Sequence, residues 1–263
     1  MHLLLLSNST NHGRGYLEHA LPEVLAFLDG VTELTFVPFA GGDHDAYTAS
    51  VRAAFAPHGI AVRGLHEAAD PVAAVASAQA LFVGGGNTFR LLATLQRLGL
   101  VPVIRARVQS GLPYLGASAG TNITAPSIRT TNDMPIVQPE SFEALGLVPF
   151  QINPHYLDAD PLSVHNGESR ATRITEFLDE NDVLVVGLRE GAHLSVTSTD
   201  ACALAMIGGA SANPLSDRPA ILFERGQPPR DIDGDVSPLL AHPRVMTPLG
   251  WPWRSVRSRL PGA

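Results

Sequence analysis

Ser118 stands in the run Gly116-Ala117-Ser118-Ala119-Gly120. This is the G-x-S-x-G spacing in which a strand turns sharply into a helix and lifts a serine hydroxyl to the edge of a sheet. Glycines suit the flanking positions because side chains there would collide inside the turn. A serine nucleophile needs a base that can reach its hydroxyl, and a third group to orient that base. Among ten histidines the base is assigned to His155, which follows an apolar run in the Pro-marked segment "FQINPHYLDAD". His12, His44, His58 and His66 fall in polar loops or helix edges, where solvation is their usual role, and His165 and His193 are weaker competitors. Two carboxylates fit the third place: Asp133 in "RTTNDMPIV" and Glu190 in "GLREGAH". Triads recur in different chain orders, so order does not choose between them.

A second glycine turn lies upstream in "LFVGGGNTFRLL", where Gly84 to Gly86 run from a strand into a helix opening near Asn87. Backbone N–H groups in such a turn, reinforced by the helix N-terminus, can meet an anion. A phosphate loop and one half of an oxyanion hole both fit. Neither G-x-G-x-x-G nor G-x-x-x-x-G-K-[ST] is present, which disfavours nucleotide binding. Paired cysteines, close histidine pairs and H-E-x-x-H are absent, so neither metal nor cofactor is expected. "DIDGD" (231–235) lacks the spacing of a calcium loop and reads as a solvated acidic turn.

The elements that must hold these groups alternate. Short apolar runs at 3–6, 34–39, 60–65, 80–85, 112–117 and 182–188 suit strands buried on both faces. Helices are expected at 16–28, 45–57, 70–78, 87–98, 101–110 and 168–180, with Asp70 and Pro71 forming a clear start signal. The alternation predicts a doubly wound, mostly parallel α/β sheet. Ligands bind such sheets beyond the carboxyl ends of the strands, here the loops after residues 6, 38, 83, 117 and 188. The whole chain, 1–263, reads as one domain. A tail richer in Pro begins near 211, adds an edge strand at 220–224 and is loosely structured from about 225.

The 263 residues are 45% hydrophobic, ample for a core, and the net charge of -7 with no dense Lys/Arg block argues against a nucleic-acid partner. The opening "MHLLLLSNST" has neither a basic flank nor enough apolar length for a signal peptide, and nothing suggests a membrane span. One cysteine, Cys202, forms no internal disulfide and reads as a small buried hydrophobe in "ACALAMI", in keeping with a cytoplasmic location.

Taken together, "LLLLSNST", "EHALP", "VPFAG", "DPVAA", "VGGGNTF", the S-A-G elbow, "IRTTNDMPIV" and "QINPH" resemble the peptidase E family of serine peptidases, the α-aspartyl dipeptidases. The resemblance runs in order over residues 1 to about 195. It implies a class I glutamine-amidotransferase-like (flavodoxin-like) sheet and hydrolysis of dipeptides with an N-terminal aspartate. It also implies Ser118 as nucleophile, His155 as base, and Glu190 or Asp133 as the third member, Glu190 being the better candidate to orient His155 and Asp133 an alternative able instead to hold the substrate's ammonium. The expected oxyanion donors are the N–H groups of Ala119, Gly85 and Gly86. A substrate carboxylate calls for an arginine fork, for which Arg129, Arg170 and Arg173 are the candidates. The partner expected is therefore a small peptide, and a homodimer is allowed for. Ala117 and Thr121 depart from the family's usual Trp and Ala, which predicts a wider or repacked pocket wall beside Ser118. Two rival readings are a cyanophycinase-like peptidase cleaving β-aspartyl-arginine and a non-catalytic module binding a small anion.

Overall fold

The computed structural model describes residues 1–162, 167–199 and 202–242. Strand β1 (His2–Leu6) leads through α1 (Leu21–Phe27) to β2 (Glu33–Val37), and α2 (His44–Phe55) leads to β3 (Ala61–Gly64). Next come α3 (Pro71–Ser77), β4 (Leu81–Val83), α4 (Thr88–Arg97), α5 (Leu100–Gln109), β5 (Pro113–Ala117) and the single turn α6 (Ala119–Asn122). After an excursion over 123–150 the chain forms β6 (Gln151–Tyr156), α7 (Arg170–Glu180) and β7 (Val185–Arg189). It closes with β8 (His193–Ser198), β9 (Ala203–Gly208), β10 (Ala220–Phe223), β11 (Arg230–Ile232) and β12 (Gly234–Asp235).

These strands make two sheets. The larger has the order β12-β9-β8-β1-β5-β4-β2-β3, and its last five strands are mutually parallel. The smaller has the order β11-β10-β7-β6. Along β1 successive leucines point to opposite faces, as strand geometry requires. Leu3 and Leu5 enter one core, Leu4 and Leu6 the other, and all four are buried. The core containing Leu4 also holds Val24 of α1 and Val51 and Phe55 of α2. On the opposite face lie α3, α4, α5 and the inner residues Ile152, Val186 and Leu222 of the small sheet. Helix α7 covers that sheet's far side through Ile174 and Leu178.

The mostly parallel α/β expectation holds, with three corrections. The run at 182–188 becomes β7 of a second sheet rather than another strand of the first. The expected edge strand at 220–224 is β10, hydrogen-bonded on both sides. Residues 230–242, expected to be loose, form β11, β12 and a 3-10 turn at Ser237–Ala241, while the remainder of the tail lies outside the described residues. Cys202 is exposed, contrary to the buried role expected of it. The run "ACALAMI" alternates instead, with Ala205 and Ile207 inward and Leu204 and Met206 outward. No helix among the described residues is long and apolar enough to cross a membrane.

Candidate active site

The elbow after β5 is built by sterics. A side chain at Gly116 would place Cβ 2.7 Å from the Gly120 carbonyl oxygen, and one at Gly120 would sit 2.0 Å from that of Val83. The Tyr114 hydroxyl donates to the Gly120 carbonyl at 2.6 Å, and the Ser118 N–H donates to Leu6 at 3.1 Å. Held this way, Ser118 adopts φ 54° and ψ -110°. Backbone strain of this kind persists only where the surroundings over-determine it.

His155 reaches the same point from the other sheet. The register between β6 and β7 shifts between Asn153 and Tyr156, and His155 takes φ 54° there. An irregularity of this type re-aims a side chain that a regular strand would point elsewhere. Its backbone N–H donates to the buried Ser7 hydroxyl at 2.9 Å, which in turn donates to the Leu188 carbonyl at 2.9 Å. Ser118, His155 and Leu17 are the three non-glycine residues with positive φ among those described. Two of the three are the groups that meet here.

The His155 ring joins two partners. Its Nε2 lies 2.9 Å from Ser118 Oγ and its Nδ1 2.7 Å from Glu190 Oε1. The consistent arrangement has Nδ1–H donating to the carboxylate and Nε2 accepting the serine O–H. Glu190 leaves β7 in a tight turn with Gly191 at φ 86°, whose N–H donates to Asn8 Oδ1 at 2.8 Å. The preceding residue, Arg189, is buried and forks onto Asp158 with two contacts of 2.7 Å, and it also reaches Asp231. Nothing in the local sequence marks Arg189 as buried. The same contact corrects the reading of "DIDGD" as simply solvated, since Asp231 anchors the end of β7.

Asp133 does not approach the imidazole. Its Oδ2 accepts from the N–H and hydroxyl of Thr88, at 2.7 and 2.6 Å, and from the Thr131 hydroxyl at 3.1 Å. A carboxylate there complements the positive end of α4. Asp133 nevertheless lines the same cleft as Ser118, a space of about 430 Å³ whose wall also includes Gly86, Ala119, His155, Arg170 and Glu190.

Of the three candidate arginines, only Arg170, the first residue of α7, lines this cleft. Burial lowers its pKa, the neighbouring Arg173 adds to that, and Asp133 opposes both. Arg129 stacks over Phe142 at 5.8 Å and Arg173 lies 3.4 Å from Glu168. Of the three expected oxyanion donors, Gly85 is committed elsewhere: its N–H donates to the Tyr47 hydroxyl at 2.8 Å. Gly85 instead supplies space, because a Cβ there would lie 3.1 Å from that of Ser118. Gly86 and Ala119 both face the cleft. Tyr47 was not foreseen, lying 38 residues from the turn it supports.

The substitutions at Ala117 and Thr121 act beneath the elbow, not on the pocket wall. Ala117 is buried in the core with Leu6, Phe36 and Leu115, and the Thr121 hydroxyl donates to the Leu6 carbonyl at 2.6 Å. His66 is not merely solvated, since its Nε2 contacts Asp45 at 2.9 Å. Asp45, His66 and Glu67 are the one group of three metal-type donors found among the described residues. Arg52 and the Gly64 N–H already engage Glu67, at 2.5 and 3.0 Å. His193 is partly buried in β8, which lowers its pKa, and His165 lies outside the described residues.

With the geometry in place, comparison with known proteins assigns the family. The model of Peptidase family S51 matches residues 3–204. The chain belongs to that family. It is 59% identical over 242 residues to "Peptidase E" of Streptomyces coelicolor, spanning 91% of this chain and 95% of that protein. It is 51% identical over 225 residues to "Probable alpha-aspartyl dipeptidase" of Drosophila melanogaster, spanning 84% and 89%. The solved structure of a peptidase from an acI-B1 Actinobacterium superposes with a TM-score of 0.63 at 18% identity, covering 90% of this S51 chain and 96% of that one. At that identity the likeness speaks to the fold.

Proposed function

We propose that this S51 chain is a serine dipeptidase that hydrolyses Asp-Xaa dipeptides. The observation that carries the reading is the unbroken contact series Ser118–His155–Glu190, opening on a cleft whose other wall presents Asp133 and Arg170. His155 Nε2 takes the proton as Ser118 Oγ bonds to the scissile carbonyl carbon, and Glu190 stabilises the imidazolium that forms. The N–H groups of Gly86 and Ala119 receive the oxyanion. His155 then returns the proton to the amine as the C–N bond breaks. Water, deprotonated by the same imidazole, releases aspartate and restores Ser118.

Specificity follows from the charges at the far end of the cleft. The guanidinium of Arg170 forks onto the side-chain carboxylate of the N-terminal aspartate. Asp133, already fixed by three hydrogen bonds, faces the ammonium. The scheme uses neither metal nor cofactor, and it suits a cytoplasmic enzyme. The names of the curated relatives support this substrate class.

The test is a panel of Asp-Leu, Asn-Leu and β-Asp-Arg assayed on wild type, Ser118→Ala and Arg170→Gln. Asp-Leu turnover by wild type and none by Ser118→Ala is expected, with Arg170→Gln raised in KM and no longer preferring Asp over Asn. Preference for β-Asp-Arg would replace this reading with the cyanophycinase-like one. Absence of turnover together with no labelling of Ser118 by a fluorophosphonate would replace it with a binding module.

A further inference from the structure

The arginine that faces the cleft also faces away from it. Behind Arg170 lies a separate, more enclosed pocket of about 40 Å³, walled by Arg129, Arg170, Arg173, Thr130, Asn153 and Phe177. A cavity needs roughly 10–15 Å³ of such space to admit a water, so this one is large enough for water or a single small tetrahedral group. Arg129, Arg170 and Arg173 all line it, with little to neutralise them. Among the described residues the one carboxylate in contact is Glu168, 3.4 Å from Arg173. Arg129 has the Phe142 ring as its neighbour, and Arg170 is influenced by Arg173 on one side and Asp133 on the other. A convergence of like charges favours an anion, and planar Arg forks match the oxygens of a phosphate.

We propose that Arg129, Arg170 and Arg173 form a binding pocket for a phosphate group beside the cleft, and that its occupant draws the Arg170 guanidinium away from the substrate's carboxylate. The pocket and the cleft share Arg170 as a common wall, so occupancy of one changes the other without overlap of the two ligands. Phosphate is then a partial inhibitor acting on KM. The kinetic part rests on the proposed role of Arg170, whereas the binding part does not.

Two measurements test it. In calorimetry inorganic phosphate binds wild type and fails to bind Arg129→Gln/Arg173→Gln. Both substituted side chains are exposed, so the fold is retained, and circular dichroism verifies it. In kinetics with Asp-Leu at ionic strength held constant with chloride, phosphate raises KM severalfold to a plateau at unchanged kcat. The double variant, whose KM and kcat in chloride stay within about twofold of wild type, does not respond. Inorganic phosphate acting where glycerol phosphate does not identifies the free ion as occupant. Equal action of both identifies a phosphomonoester end as sufficient. Binding that survives in the double variant, or inhibition that rises linearly without a plateau, overturns the proposal. If Asp-Leu is not turned over at all, the dipeptidase reading fails while calorimetry still decides the pocket.

Discussion

Ser118 and His155 meet at 2.9 Å, but the two regions that deliver them are built on different rules. The serine comes from a short-range device: five consecutive residues, two glycines without which the turn clashes, and a strand whose leucine-flanked position fixes its height. The histidine and Glu190 come from a long-range one: a second sheet docked on the first, a strand irregularity, and a hydroxyl from the far end of the chain holding the backbone. A local device tolerates little substitution within itself and depends little on distant residues. The docked half has the opposite vulnerability.

The strongest way to test that contrast is to remove the reacting atom and then the group behind it. Ser118→Ala is expected to reduce kcat by about 10⁶, the scale seen when a triad member is lost, without altering the thermal melting point by more than a degree or two. Glu190→Gln keeps the shape and removes the charge that orients the imidazole, and is expected to lower kcat by about 10⁴. Asp133→Asn is expected to act mainly on KM, because Asp133 contacts Thr88 and Thr131 and not His155. A steady-state comparison of the two variants separates them. A larger kcat loss in Asp133→Asn would place the orienting carboxylate in the 123–150 excursion, against the start of α4, and dissolve the contrast.

The difference between the two halves is also a difference in what the sequence discloses. G-x-S-x-G and the parallel strands β1 to β5 are readable because local sterics and unbroken apolar runs encode them. The segment "QINPHY" reads as a loop because Pro154 and three polar neighbours suppress strand signals; it is a strand through pairing with β7, a long-range fact. Period-two alternation in "HLSVTS" places Leu194 and Val196 inward, a signal available for β8 but weaker than an apolar run because polar residues occupy every other position. Residue types alone leave Glu190 and Asp133 both open, with only the family resemblance favouring Glu190, because it is the docking of the sheets that brings one of them to 2.7 Å from the imidazole. Gly85 reads as an oxyanion donor for the same reason: its N–H is taken by a tyrosine on a distant helix.

Ser7 is the strut between the halves, buried, accepting from the His155 N–H and donating to the Leu188 carbonyl. Ser7→Ala leaves a buried donor and a buried acceptor without this partner, a cost of about 1–3 kcal/mol. The expected outcome is a fall of about 5 °C in melting temperature for a chain of this size, together with a roughly tenfold loss of kcat and slower labelling of Ser118 by a fluorophosphonate. A stability loss with full activity would mean that His155 is held by β6 alone.

Tyr47 offers the smallest and most local perturbation, this time on the serine's side. Its hydroxyl accepts the Gly85 N–H at 2.8 Å and lies 3.5 Å from the Tyr16 hydroxyl, while its ring packs edge-on against Phe36 at 4.9 Å. Gly84 leaves the room for this contact, since a Cβ there would sit 2.7 Å from the hydroxyl. Tyr47→Phe keeps the ring and deletes one acceptor, removing about 1 kcal/mol of hydrogen bonding from the turn that carries Gly86. If that turn presents an oxyanion donor, the loss falls on the transition state: kcat drops about fivefold at unchanged KM. If the turn merely packs, melting temperature shifts and kcat does not. The first outcome makes the serine's half dependent on a residue remote in sequence, so that its apparent self-sufficiency extends to the nucleophile and not to the oxyanion site.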